Sequence, residues 1–405
     1  MLVENFFPQD PRVRNEAYTL SQAGYPVTVI ALRKPGENFH EEAYGIHIYR
    51  VPALTIFKKL GVARGPIGRV IGMFQACVGY VSEYVYFTVA CLLLSIYIAL
   101  RRGVDVVHAH NPPDVLCVVG AFHRLLGKRF IFDHHDLSPE LYLSRFGLKK
   151  EEGGVICKTL LAFEKLSLRL ASITIATNES YKAIQIQRGN TEKEKIFVVR
   201  NGPDLRRVKA VPGDPNLLAM GKSILCYVGA MNPQDGVDYM LRALRHLAFT
   251  LGRKDFYCVA IGIGDAFEHL KITADTLGLN DYIWFTGFVS DEDLVRYLSS
   301  ADICLDPNPS NPLNDVSTWI KVMEYMAVGK PIVSFDLKET RVTAQEAAVY
   351  VPPNDELAFA QQIALLMDRP DLRNKMSAFG RRRIEEELAW NVVSENLLRA
   401  YVSLS

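Results

Sequence analysis

The segment DVSTWIKVMEYMAVGKPIVSF, residues 315–335, contains a helix start, an amphipathic helix, a glycine stop and a short apolar run in direct succession. Residues 315–318 include Asp, Ser and Thr, which cap helices, so we predict that a helix begins there with outward-facing N–H groups. Gly329 is typical of a helix end, and residues 332–335 are typical of a buried parallel strand. Because a helix N-terminus attracts phosphate, the segment indicates an α/β fold with an anion site.

The predicted helix has two different faces. Ile320, Met323 and Ala327 recur at the spacing of a buried face, whereas Lys321 and Glu324 share the other face near the phosphate-attracting end. A capped helix followed by glycine and a strand also occurs in any doubly wound α/β domain. The pattern alone therefore leaves a purely structural role open.

Length and composition limit the classes of protein to consider. A chain of 405 residues predicts two domains of about 150–200 residues each. The formal net charge of +1 argues against a nucleic-acid-binding protein. Seven cysteines, mostly in apolar runs, indicate reduced thiols and a cytoplasmic protein. The N-terminus has neither a basic region nor a cleavable apolar core, so we expect no secretory signal.

Apolar runs typical of strands alternate with helical sequence in both halves of the chain. They lie at residues 2–4, 25–31, 46–51, 105–110, 130–133, 224–229, 256–261, 283–286, 303–305 and 332–335. This alternation predicts two doubly wound parallel sheets. Turn-rich sequence between the halves indicates a hinge. We therefore predict domains at 1–205 and 206–385, followed by a last helix at 386–405.

Residues 84–100 form an uncharged run that follows a segment with Lys58, Lys59, Arg64 and Arg69. The run is shorter than the roughly 20 residues that usually span a bilayer. A wholly buried helix is the first interpretation, and a helix on a bilayer surface is the alternative. The second interpretation predicts peripheral membrane contact through residues 58–102.

Histidines and carboxylates follow two strands of the first half. His110 ends the run 105–110, and residues 133–136, Asp-His-His-Asp, end the next. Ligands of open α/β folds bind at this carboxyl edge, although a lone histidine there is often structural. Successive strand residues point in opposite directions, and the sequence contains no ligand pair at helical spacing nearby. We therefore predict no metal site.

The run KVMEYMAVGKPIV, residues 321–333, resembles the nucleotide-sugar segment of retaining glycosyltransferases of family 4 (glycosyl transferases group 1). Members have the B-type fold, an α/β fold in which two doubly wound Rossmann-like domains face each other across a cleft. The resemblance implies that Glu324 holds the ribose hydroxyls. The family's preceding glutamate would fall at Val316, so Asp315 or the N–H groups of Ser317 and Thr318 would substitute for it.

The resemblance extends to other donor-binding segments. It implies that the stretch containing Gly229 approaches the diphosphate and that the backbone at Val289 holds the edge of the base. The usual diphosphate cations are replaced by Ala230 and Asp235. Lys321 is then the candidate that supplies positive charge in their place.

On the acceptor side, the resemblance implies that His110 reaches the donor sugar and the acceptor. His135 and Asp136 belong to the next loop of the cleft. Arg12 would meet an anionic acceptor, or alternatively pair with Glu16 one helical turn away.

The function implied is sugar transfer from a nucleotide-diphosphate donor to a glycan or lipid-linked acceptor, with retention and without a metal or other cofactor. Domain closure would exclude water, and the leaving phosphate would assist acceptor deprotonation, with His110, Asp315 and Lys321 as catalytic candidates. The pathway would be polysaccharide or glycoconjugate synthesis, in the cytoplasm or peripherally at the inner face of the membrane. Two alternatives remain, a nucleotide-sugar epimerase of the same fold and a non-catalytic membrane-associated partner of a glycan-assembly complex.

Overall fold

The computed structural model describes residues 1–54 and 66–404, and it divides into two compact units. The first unit comprises residues 1–200 and 394–405, and the second comprises residues 201–393. The division falls a few residues before the boundary predicted at 205. The last predicted segment, 386–405, is shared between the two units.

The first unit contains an eight-stranded sheet in the order β3-β4-β2-β1-β5-β6-β7-β8. All neighbouring pairs are parallel except β3 with β4, which form a hairpin with β3 as its first arm at the sheet edge. The strands are β1 (Leu2–Phe6), β2 (Val27–Arg33), β3 (His40–Ala43), β4 (Ile46–Pro52), β5 (Val106–His110), β6 (Arg129–His134), β7 (Ile173–Ala176) and β8 (Ile196–Val198).

Helices connect the parallel strands of the first unit. They are α1 (Pro11–Gln22), α2 (Pro66–Arg102), α3 (Cys117–Leu125), α4 (Ser138–Phe146), α5 (Gly154–Leu170) and α6 (Glu179–Gly189). Asp10 caps α1, since its side chain accepts a hydrogen bond from the Arg12 N–H. This cap places the first turn of α1 beside the carboxyl end of β1.

The second unit contains a six-stranded sheet with the order β11-β10-β9-β12-β13-β14, in which every pair is parallel. The strands are β9 (Ser223–Val228), β10 (Phe256–Ile261), β11 (Ile283–Gly287), β12 (Ile303–Asp306), β13 (Ile332–Phe335) and β14 (Ala348–Val351). Strand β12 is buried throughout, as expected for a strand covered on both faces.

The helices of the second unit are α7 (Pro215–Leu218), α8 (Val237–Arg245), α9 (Phe267–Thr276), α10 (Asp291–Ser300), α11 (Ile320–Ala327), α12 (Lys338–Ala344), α13 (Glu356–Asp368) and α14 (Pro370–Arg383). A final helix, α15 (Trp390–Val402), begins in the second unit and ends in the first. Two parallel-sheet α/β domains, each with crossover helices, are therefore present, as the alternation of strands and helices predicted.

Helix α2 corrects the interpretation of a wholly buried helix. Its buried face packs against the sheet of the first unit through Phe87, Cys91 and Ile98. The opposite face exposes a continuous apolar row, which we call the α2 stripe: Val78, Val81, Val85, Val89, Leu93, Tyr97 and Leu100. By length and composition alone, the part Cys77–Arg102 would be able to cross a membrane, but core helices pass the same test. The predicted basic residues Lys58, Lys59 and Arg64 lie outside the described residues.

Candidate functional site

The donor-side residues predicted from the sequence lie in the second unit, around helix α11. The helix starts at Ile320, later than predicted, and its cap residue Trp319 makes no side-chain capping bond. The prediction that residues 315–318 cap it is wrong, because residues 314–316 form a short 3-10 turn instead. Ser317 Oγ donates to the Leu313 carbonyl at 2.7 Å, which removes it from capping.

This correction changes the expected roles of three residues. The Ser317 N–H already donates to the Asn314 carbonyl at 3.3 Å, so it is not available as predicted for a phosphate. Asp315 accepts a hydrogen bond from the Ser310 hydroxyl at 3.2 Å. Thr318 lies between the 3-10 turn and the helix. The anion-attracting end of α11 is therefore at Trp319 and Ile320 rather than at Ser317.

Lys321, in the first turn of α11, is a buried cation with 7% of its surface exposed. Its Nζ donates to Asn308 Oδ1 and lies 3.3 Å from Asp306 Oδ1. The same Nζ lies over the rings of Tyr227 and Trp319, at 4.8 Å and 5.3 Å from their centroids. Its charge is thus largely balanced by Asp306, which the sequence analysis did not foresee.

Gly229 lies directly beside Lys321. A Cβ at Gly229 would lie 2.9 Å from Tyr227 Oη and 3.7 Å from Lys321 Cδ, and its φ is +153°. A Cβ at Gly262 would approach the Gly229 carbonyl oxygen to 1.9 Å. The ends of β9 and β10 therefore require glycine, and at Gly229 this leaves backbone rather than a side chain beside Lys321 in the first turn of α11.

The two positions where the family's cations are missing have structural roles. The Ala230 carbonyl accepts a hydrogen bond from Tyr227 Oη at 2.6 Å. Asp235 is buried, and its carboxylate accepts a hydrogen bond from the Asn232 N–H at 3.0 Å. This bond holds the turn that leads into α8.

Glu324 lies one turn into α11 and is half-buried. Burial raises its pKa to about 7, and the positive charge of Arg207 counteracts part of that rise. Arg207 also forms an ion pair with Asp291. Arg207 was not predicted to contribute to the site, although the adjacent arginines 206 and 207 after the interdomain turn indicate a local positive charge.

We expect the stability of the second unit to fall as the pH rises from about 4.5 to about 7. The folded state holds a proton on Glu324 in this range, with a pKa of about 7, whereas the unfolded carboxyl, with its ordinary value of 4.5, has released it. Thermal unfolding at several pH values measures the trend. Glu324→Gln cannot ionise, so its melting temperature should decline less over the same range; an equal decline would contradict the assignment.

Val289 follows β11 and is partly buried against the core of the second unit. Its side chain is therefore structural, which leaves its backbone as the group predicted to meet the base. The preceding Gly287 has a φ of +73°, and its carbonyl accepts a hydrogen bond from Gly262 N–H at 3.1 Å. The loop thus continues the glycine-lined edge that begins at Gly229.

The acceptor-side residues lie in the first unit, at the carboxyl ends of β5 and β6. Asn111, which follows His110, joins the two strand ends: its Oδ1 accepts hydrogen bonds from the N–H groups of His135 and Asp136 at 2.6 Å and 3.1 Å. The structure therefore brings His110, His135 and Asp136 into one cluster. Asn111 was not assigned a role from the sequence.

Asp133 is the centre of this cluster. Its Oδ2 lies 3.3 Å from His108 Nε2, 3.1 Å from His110 Nδ1 and 3.0 Å from His135 Nε2. Burial acts to raise the pKa of Asp133, but the positive charge of His135 and hydrogen bonds from the histidines outweigh it, so the pKa lies well below the ordinary value. Burial and the charge of His108 lower the pKa of His110 to about 3.

Arg12 does not form the predicted alternative pair with Glu16. It forms a salt bridge with Asp10 at 3.0 Å and approaches Asp136 at 3.9 Å. Glu16 is instead buried at 1% exposure beside His108. Arg12 and Asp136 therefore lie together at the outer edge of the cluster, with Arg12 about a quarter exposed.

Comparisons with known proteins support a single family. The model of glycosyltransferase family 4 matches residues 12–207, and that of glycosyl transferases group 1 matches residues 222–369. The chain belongs to the family 4 glycosyltransferases.

A related sequence is that of an uncharacterized glycosyltransferase of Methanocaldococcus jannaschii. It is 22% identical over 261 residues, which cover 60% of this chain and 63% of the relative. The match thus spans less than two thirds of the relative's length.

Solved structures of glycosyltransferases share the fold. Sucrose-phosphate synthase from Thermosynechococcus elongatus has a TM-score of 0.74 and 19% identity, covering 97% of this chain and 92% of that one. Anabaena HepE, solved with UDP and glucose, has a TM-score of 0.69 and 15% identity, with coverage of 99% and 98%. The fold of this family 4 glycosyltransferase is therefore the B-type fold.

Proposed function

We propose that this protein transfers a sugar, with retention, from a nucleotide-diphosphate donor to a glycan or lipid-linked acceptor in polysaccharide or glycoconjugate synthesis. The observation that carries the proposal is the arrangement of Lys321 and Glu324 on α11 beside the glycine-lined end of β9. The complex of the related HepE with UDP and glucose supports this class of donor.

In the second unit, we assign the start of α11 to the diphosphate. Breaking the sugar–phosphate bond leaves negative charge on the diphosphate, and a helix N-terminus stabilises such charge. Lys321 lies beside Gly229 and adds a positive charge that Asp306 largely balances. Glu324, in its ionised form, is assigned to the ribose hydroxyls. The proposal requires no metal at the diphosphate.

In the first unit, we assign His110 to orienting the donor sugar and the acceptor. His110 Nε2 is buried and has no hydrogen-bond partner among the described residues, so it is available to a bound hydroxyl. Arg12 and Asp136 form the outer contact with the acceptor. We assign no side-chain base, because the leaving phosphate is expected to assist deprotonation of the acceptor.

Incubation with a panel of nucleotide sugars tests the proposal. Release of nucleoside diphosphate, dependent on added acceptor glycans, is the expected result. Interconversion of the donor sugar without acceptor would instead identify an epimerase. Nucleotide binding without turnover would identify a non-catalytic partner of a glycan-assembly complex. Density for the donor beside Glu324 in a soaked crystal would test its placement.

The α2 stripe supports an acceptor linked to a membrane lipid. Seven apolar side chains are exposed along one face of a single helix, and Arg101 and Arg102 follow them at its exposed end. Such a helix with adjacent positive charge is typical of proteins that lie on anionic lipid surfaces. We propose peripheral contact with the inner face of the membrane through this helix.

We expect the triple variant Val85→Glu, Val89→Glu, Leu93→Glu to lose most co-sedimentation with vesicles that contain anionic phosphatidylglycerol. Three charges in the stripe would have to enter the interface, where burying a charge is costly. A matched control introduces three Glu residues, at Ile272, Val342 and Leu365, which are exposed apolar residues of the second unit. Retained vesicle binding by the triple variant, or equal loss by the control, would contradict the proposal.

A further inference from the structure

Four side chains of the first unit form a buried cluster with metal-ligand chemistry. Glu16 from α1, His108 and His110 from β5, and Asp133 from β6 each provide one ligand atom, and these atoms all lie within 4.8 Å of one another. All four residues are at most 2% exposed. The consecutive residues 133–136 cannot form a metal site by themselves, but this cluster combines side chains from the three elements α1, β5 and β6.

The hydrogen-bond geometry of the cluster is crowded at one carboxylate oxygen and, within the described part of the chain, leaves two others without a partner. Three imidazole nitrogens surround Asp133 Oδ2 at 3.0–3.3 Å, although one carboxylate oxygen offers about two lone pairs. Asp133 Oδ1 and Glu16 Oε2 meanwhile have no hydrogen-bond partner among the residues that the structure describes. Buried polar atoms without partners are rare in native proteins and call for an explanation.

The distances fit an ion at the centre of the cluster. In a tetrahedral site with ligands about 2.0–2.2 Å from the metal, neighbouring ligand atoms lie about 3.3–3.6 Å apart. Here His110 Nδ1 and His108 Nε2 lie 3.1 Å and 3.3 Å from Asp133 Oδ2, and His108 Nε2 lies 3.7 Å from Glu16 Oε2. The remaining pairs of ligand atoms lie within 4.8 Å, so shifts of about 1 Å would place all four at the spacing of one tetrahedral ion.

The surroundings of the cluster are also those of a metal site. Ligating histidines are usually oriented by a hydrogen bond at the second ring nitrogen. His108 Nδ1 makes such a bond, to Tyr401 Oη at 2.9 Å. A set of imidazole and carboxylate ligands suits a divalent transition-metal ion of the zinc class.

We propose that Glu16, His108, His110 and Asp133 bind one such ion, with His135 adjacent to it. The ion would tie α1 to β5 and β6 and fix the ring of His110, so that Nε2 remains available to substrate. This site is separate from the diphosphate-binding residues of the second unit. The role given to His110 Nε2 rests on the proposed function, whereas metal binding by the four residues is measured without any transfer assay.

The test is the metal content of the full chain after chelator treatment and dialysis against Zn²⁺ or Co²⁺. We use a Cys77→Ser background, because Cys77 is the one thiol that is not buried. We expect one equivalent of zinc per chain. With Co²⁺, we expect the visible absorption of a tetrahedral site with nitrogen and oxygen ligands. Glu16→Gln should weaken zinc affinity at least tenfold, measured against a competing chelator.

His134→Gln is the matched control. His134 is equally buried on the same strand, but it faces Glu164 at 3.8 Å, away from the cluster, so zinc affinity should be unchanged. If Glu16→Gln fails to fold, the Co²⁺ spectrum of the parent chain tests the proposal by itself: a tetrahedral spectrum supports the site, and its absence contradicts it. Absence of stoichiometric binding, or equal affinity in Glu16→Gln, would overturn the proposal and leave the cluster as a hydrogen-bonded network.

Discussion

Replacing Lys321 with methionine is expected to lower the free energy of unfolding of the second unit by about 3–5 kcal/mol, since removing one partner of a buried ion pair leaves an uncompensated charge. In this variant the carboxylate of Asp306 would be left as a buried, unpaired charge, because Asp306 is fully buried and its Oδ1 lies 3.3 Å from Lys321 Nζ. Transferase activity should be lost as well. Urea denaturation followed by tryptophan fluorescence measures the change.

Tryptophan fluorescence reports mainly on the second unit. The chain has three tryptophans, at positions 284, 319 and 390, and all lie within residues 201–393. The matched control is the double variant Lys321→Met, Asp306→Asn, which removes both charges and should regain most of the lost stability. Equal stability of the single variant and the parent would mean that the pair is not buried as described.

Replacing Glu324 with alanine is expected to weaken nucleotide binding by about 1–3 kcal/mol, because charged hydrogen bonds to the ribose would be lost. This corresponds to roughly 5- to 150-fold in dissociation constant. Titration calorimetry with the best-bound nucleoside diphosphate of a UDP and GDP panel measures it. Unlike Lys321→Met, this variant should not lose folding stability near neutral pH.

Glu346→Ala provides the comparison for Glu324→Ala. Glu346 is an exposed carboxylate of the same unit, and it lies outside the residues assigned to the donor. Its removal should leave nucleotide affinity unchanged. If Glu324→Ala binds with the affinity of the parent chain, the assignment of the ribose to α11 is wrong.

The strands of both sheets were largely predictable, because buried parallel strands appear as short apolar runs. Residues 256–261 and 332–335 match β10 and β13 in full. Four strands, β3, β7, β8 and β14, were not predicted. The last three are runs of only three or four residues, and β3 (His40–Ala43) is a short, polar edge strand that is stabilised by pairing with β4. Such pairing depends on distant chain and leaves little local signal.

Several residues of the candidate site could be predicted from the sequence, but the side chains that contact them could not. The sequence indicated Lys321 and Glu324 from helical spacing, yet Asp306, which balances Lys321, lies at the end of a different strand. Likewise His110 was predicted from its place after β5, whereas Glu16 and Tyr401 reach the cluster from α1 and α15. Contacts of this kind come from tertiary packing, which spacing along one element does not reveal.

The start of α11 shows how local preferences can be overridden. Ser317 and Thr318 are good capping residues, but Ser317 Oγ bonds to a carbonyl four residues earlier, within the 3-10 turn. Side chains of this type bond to whichever backbone group is nearest. The helix start consequently moved to Ile320, without altering the face on which Lys321 and Glu324 lie.

The bond between Tyr401 and His108 links residues that are 293 positions apart, yet both belong to the first unit. During translation, residues 1–200 leave the ribosome long before α15 does. The second unit can therefore complete most of its core before residues 394–405, which belong to the first unit, have been synthesised. A nascent chain stalled before residue 394 would therefore expose the inner surface of its N-terminal half to chaperones and proteases.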